Sequence, residues 1–200
     1  MESLTREFYS GINFRHGGIL TAEMPNEACT ELIASNIGWL QQGLSLLGHI
    51  DEATFVNSTQ GLAPHRVGSH LRHVLEFYEC FLDGLGASRI DYDARKRDDM
   101  IERSRHVAAA KICSILRRLE GLSLREDRAL EVRVENGDGY LASSVGRELQ
   151  ALSSHTIHHF ALIAVTLRLH GIQVDPNFGM SPSTLRYRTA RQFAANSEAA

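Results

Sequence analysis

Ten histidines stand among the 200 residues, and seven of them fall in two groups: His65, His70 and His73, then His155, His158, His159 and His170. Imidazole changes charge near neutral pH and, when neutral, binds borderline metals such as zinc and nickel. His155 and His159 are four apart. On a helix their Cβ atoms would lie ~5–6 Å from each other on one face, close enough for both rings to reach one ion. The spacing is that of HExxH, but threonine (Thr156) follows the first histidine where that motif carries its catalytic glutamate. A zinc-protease reading therefore fails at the residue that does the chemistry. Two imidazoles hold a metal weakly, and a working site needs a third protein ligand and an open position. His70 and His73, three apart and on a common helical face, offer that ligand from another segment. A three-histidine set with a water suits Zn2+, whereas Ni2+, Fe2+ or Mn2+ would take further waters. Burying several neutral imidazoles without partners costs the desolvation of each, which favours a shared ligand.

Four helices are expected to position these groups. Leu32, Ile33, Ile37, Leu40, Leu44 and Leu47 recur at threes and fours between a cap at Asn26 and a stop at Gly48. After a polar loop over 57–64, Val67, Leu71, Val74, Tyr78, Phe81 and Leu85 mark a second helix from Pro64 to Gly84. A third is expected over Ala94–Leu119, with Ala108, Ile112, Ile115 and Leu119 inward, and Arg95-Lys96-Arg97 as its solvated start. The alternation Glu131-Val132-Arg133-Val134-Glu135, followed by Asn136-Gly137 and Tyr140-Leu141, predicts a short β-hairpin. A fourth helix runs from Ser144 to His170, capped by Ser143 or Ser144 and ended by Gly171. Its residues 148, 152, 155, 159, 162 and 166 share an inward face. The expected fold is all-α: a four-helix bundle with a long crossover, carrying the hairpin, between helices 3 and 4. The whole of 1–200 reads as one domain, with residues 1–25 as an arm and 172–200 as a tail. That tail is too polar and broken for another long helix and is expected to pack across the bundle.

Composition narrows the function classes. With 43% hydrophobic and 22% charged residues the chain is an ordinary globular one. A net charge of -3 argues against nucleic acid as a partner. No run is long enough to span a membrane and the first residues do not form a signal peptide, so a cytoplasmic location is expected. Cys29, Cys80 and Cys113 lack any CxxC spacing and read as reduced core fillers.

The segment His70-Leu71-Arg72-His73-Val74-Leu75-Glu76, together with His155-Thr156-Ile157-His158-His159-Phe160-Ala161-Leu162-Ile163, resembles the DinB/YfiT superfamily of four-helix-bundle metalloproteins over residues 28–172. The resemblance implies one ligand on the second helix and a His-x-x-x-His pair on the fourth: His73, His155 and His159, with His158 the adjacent non-ligating histidine. His70, one turn from His73, is the alternative ligand or a supporting group. It implies Zn2+ or Ni2+ first and Fe2+ or Mn2+ next. A metal-dependent transferase or hydrolase follows, activating water or a low-molecular-weight thiol against a small molecule, in a homodimer. The alternative is a non-catalytic metal- or ligand-binding bundle connected with stress. Glu76 and Glu148 are candidates to orient a ligand or move a proton. Asp91, Tyr92, Arg95 and Arg147, at expected helix ends, mark a candidate binding mouth.

Overall fold

The computed structural model describes residues 27–57, 66–123 and 127–198. Asn26, His65, the arm over 1–25 and most of the loop over 57–64 lie outside these. Helix α1 (Glu27–His49) buries Cys29, Ile33, Asn36, Leu40, Gly43 and Leu47, leaves the expected Leu32, Ile37 and Leu44 half-buried against the core, and runs through the expected stop at Gly48. A short helix, α2 (Glu52–Val56), follows, with the Thr54 amide donating to Asp51 Oδ1 over 2.8 Å. Helix α3 (Val67–Gly84) starts where Ser69 Oγ accepts the Arg66 amide, and its buried stripe includes His70, Leu71, Val74, Tyr78 and Phe81.

The expected third helix over 94–119 is a different object. Residues 94–98 are not helical, α4 (Asp99–Arg103) is one short turn, and α5 (Arg105–Glu120) begins after a break at Ser104. The break has a local cause. Ser104 takes an extended backbone (φ -144°, ψ 118°) and caps α5, while Asp98 caps α4 through the Met100 amide. Arg95 is accordingly not on a solvated helix start: it folds over the Phe77 ring, with Lys96 and Arg97 exposed beside it.

The hairpin forms, as β2 (Ala129–Arg133) and β3 (Tyr140–Ser144), turning through Asn136 at φ 55°. A strand that periodicity did not reveal, β1 (Arg89–Ile90), adds in parallel to β2, giving a sheet ordered β1-β2-β3. The described residues are therefore mostly helical with a small three-stranded sheet, which is broadly compatible with the expected all-α class. β3 runs directly into α6 (Val145–Leu169), whose Arg147 amide donates to Ser144 Oγ and whose end is marked by Gly171 at φ +74°. α1 and α3 each pack against both α5 and α6, and one apolar cluster joins them through Leu40, Leu71, Val74, Ile112, Leu149 and Phe160.

Beyond Gly171, Phe178 stacks on Phe160 with centroids 4.8 Å apart. Gly179 (φ +68°) follows, at a point where a Cβ would come within 2.7 Å of the Phe160 backbone. This part of the tail does pack on the helices. The rest departs from expectation by forming a seventeen-residue helix, α7 (Pro182–Glu198), with Tyr187 and Phe193 exposed. Proline at its first position and Ser181 Oγ accepting the Thr184 amide start it. Alanine, arginine and glutamine carry it by intrinsic propensity, so no apolar period announces it. Among the cysteines, Cys29 is buried as a core filler, whereas Cys80 and Cys113 are only partly buried. No helix among the described residues is long and apolar enough to cross a membrane.

Candidate metal centre

α3 and α6 lie against each other and carry the two histidine groups to a common place. His73, His155 and His159 each offer a ring nitrogen, and these three atoms lie within 4.8 Å of one another. Ring centroids are 4.9 Å apart for His73 and His155, 4.7 Å for His73 and His159, and 4.6 Å for His155 and His159. Tetrahedral Zn–N bonds of about 2.0–2.1 Å set their nitrogens about 3.3–3.4 Å apart, so the rings would draw closer together around an ion. All three side chains are half-buried, so one side remains accessible for a water or substrate.

The electrostatics favour the ligating form. Burial, with Arg95 next, holds His73 down at about 4. Burial and then His73 hold His155 at about 4, and burial and then His155 take His159 to about 3. All three rings are neutral at pH 7 and present lone pairs. His155 Nδ1 is buried without a hydrogen-bond partner. An unsatisfied buried nitrogen is costly, and a cation would satisfy it. A donor set of three neutral imidazoles fits Zn2+ or Ni2+.

The remaining sequence candidates divide. His70 is buried and reaches the centre, its Nδ1 lying 3.1 Å from His159 Nδ1. His158 is exposed, its ring 5.1 Å from that of His159. His170 belongs elsewhere, at the far end of α6. Glu76 is buried among cations, near Arg72 (3.7 Å) and Arg95 (3.8 Å), and accepts the Asp98 amide. Burial raises its pKa against those partners. Its oxygens thus serve the 90s loop rather than a histidine. Glu148 accepts from Tyr92 Oη at 3.0 Å and from Ser143 Oγ at 2.6 Å.

Tyr92 in turn stacks on Phe77 at 5.0 Å, and Phe77 covers His73 and His155 at 4.8 and 4.4 Å. Glu148 therefore fixes an aromatic wall beside the histidines. Phe77 was not among the residues singled out in the sequence. Its signal was its place four after His73, on the same helical face. Of the supposed mouth, Tyr92 and Arg95 join this wall, Asp91 is turned away to pair with Arg133 at 2.7 Å, and Arg147 is exposed. Of two cavities, about 640 Å³ beside Cys80 and Lys111 and about 420 Å³ between Leu46 and Phe178, neither is lined by any of the three histidines, while Glu76 and Arg95 line the first.

No family model matches the chain. A curated relative, FK506-binding protein 5 of Rhizopus delemar, is 35% identical over 105 residues. The match covers 49% of this chain and 27% of that protein, so the chain spans about a quarter of the length of the relative it matches.

Proposed function

We propose that this protein is a divalent-metal-dependent enzyme of the DinB/YfiT type, acting on a small molecule by transfer or hydrolysis. The observation that carries the reading is the convergence of His73, His155 and His159, with a buried, unpartnered nitrogen on His155. Helices α1, α3, α5 and α6, each of one pair packed on both of the other, are read as its four-helix bundle, with the sheet in the crossover. When bound, the ion would lower the pKa of a coordinated water or low-molecular-weight thiol and so supply a nucleophile at neutral pH. The chain's part is to hold the ion through three neutral imidazoles. Phe77 and Tyr92 exclude water from one side, and Glu148 keeps Tyr92 in place. Zn2+ or Ni2+ leads, with Fe2+ or Mn2+ behind. The reading includes a cytoplasmic homodimer without nucleic-acid or membrane partners.

Metal analysis of the purified chain and of His73→Ala, His155→Ala and His159→Ala tests the centre, and metal retained in all three variants would refute it. Turnover of an electrophile with a glutathione-like thiol, or of a hydrolysable ester, tests the enzyme. Metal bound without turnover in either assay favours the non-catalytic binding bundle. The partial match to a protein named for binding FK506 supports a second, separate reading, in which this chain takes that ligand. Calorimetric titration with FK506 checks it, and absence of heat at micromolar protein rejects it.

A further inference from the structure

The contact between His70 and His159 sets two ring nitrogens of the same kind, Nδ1 and Nδ1, 3.1 Å apart, with the rings tilted by 45°. Two bare lone pairs at that distance repel, and two N–H groups collide. One nitrogen of the pair therefore carries the proton and the other accepts it. A neutral imidazole has one N–H, so the choice at this contact decides what each ring presents elsewhere. If His70 donates, His159 spends its single lone pair on His70 and its Nε2 carries hydrogen, which leaves it unable to bind a metal. If His159 donates from Nδ1, its Nε2 is a bare donor.

We infer that His70 is a positioning residue for the metal centre: it accepts the His159 Nδ1 proton and thereby fixes both the ring orientation and the ligating nitrogen of His159. The inference rests on the metal reading above and deepens it. α3 then supplies two parts of one centre from consecutive turns, His73 as ligand and His70 as support, which accounts for a buried histidine beside the ligand. The opposite case stands next to it. His155 Nδ1 has no partner, so His155 lacks such an orienting bond on that nitrogen. Outer groups of this kind are worth about 10–100-fold in metal affinity.

The test uses the full chain with Co2+ as probe, because its visible absorption reports the donor set. His70→Leu keeps an apolar side chain of similar bulk without the acceptor, and should weaken Co2+ binding about 10–100-fold. His70→Asn, whose Oδ1 comes close to the former Nδ1 position, should restore most of the affinity with an unchanged Co2+ spectrum. Nitrogen-15 NMR of the metal-free wild type should show His159 protonated on Nδ1 and His70 on Nε2. His159 protonated on Nε2 would overturn the assignment, as would equal Co2+ affinity in His70→Leu and wild type. A His70→Asn spectrum that has lost a nitrogen donor would make His70 a ligand, which also overturns it. If His70→Leu does not fold, the wild-type NMR and His70→Asn still decide. Wild-type protein that takes up no Co2+ removes the metal reading, while the metal-free NMR judges the histidine pair on its own.

Discussion

Two polar groups meet at the contact of α3 with α6, and they are satisfied in opposite ways. In the first, Tyr78 Oη donates to Asn36 Oδ1 at 2.6 Å, and Asn36 Nδ2 donates to the carbonyls of Leu32 and Leu149. Thr156 Oγ1 lies 3.1 Å from Tyr78 Oη and 2.8 Å from the Leu152 carbonyl, its one proton serving these two acceptors. All three side chains are fully buried, and burial raises the Tyr78 pKa, so the phenol stays protonated. In the second group, where His155 adjoins Thr156 and His73 lies five residues before Tyr78, the histidines are half-buried and one nitrogen is left unpaired. A closed polar network ties α1, α3 and α6 together. The open one leaves a buried nitrogen that the proposed ion would satisfy.

The comparison breaks most sharply with metal. Zn2+ or Ni2+ at a hundredfold excess over its dissociation constant should stabilise the wild type by about 2.7 kcal/mol. That gain should vanish in His73→Ala, His155→Ala and His159→Ala, as scanning calorimetry with and without metal would show. Acid separates the groups next. The three histidines sit at about 4, about 4 and about 3, below the ordinary histidine value of 6.5. Between those values the unfolded chain binds more protons than the folded one, so stability of the metal-free protein should fall as pH drops from about 6.5 towards 4. Denaturant titrations across that range check the sign, and His159→Ala should flatten the slope.

Tyr78→Phe attacks the closed network instead. It leaves Asn36 Oδ1 without that donor inside the core and should cost about 1–3 kcal/mol by chemical denaturation. Metal uptake should be unchanged, and a loss of metal would mean that the two groups are one. The smallest effect is expected far from both. Removing residues 182–200 deletes a helix whose apolar side chains Tyr187 and Phe193 are exposed, and should shift stability by no more than about 0.5 kcal/mol.

The site was more legible than the scaffold around it. His155 and His159 declare themselves because a helical period fixes the relation between residues four apart, wherever the helix goes. The face through Glu148, Leu152, His155 and His159 needs only the same period, and of these α6 buries Glu148 and Leu152 and leaves the histidines half-buried. The break at Ser104 was not legible, since 94–119 contains no proline or glycine and the interruption depends on two side-chain caps competing with helix continuation. β1 is two residues long, too short for alternation to register, and exists through its pairing with β2. α7 escaped because its residues favour a helix without burying a face.

Sequence alone determined which residues lie on each helical face, because 3.6 residues per turn is a property of the backbone. It thereby put His70 with His73 and His155 with His159. Tertiary packing decided the rest. Only the approach of α3 to α6 brings His73 to the other pair and aims His70 Nδ1 at His159, and only the packing of the 90s loop gives Glu76 to Arg95 and the Asp98 amide and Glu148 to Tyr92. Distances between helices depend on how two side-chain surfaces interlock, and no spacing within either strip of sequence contains that information.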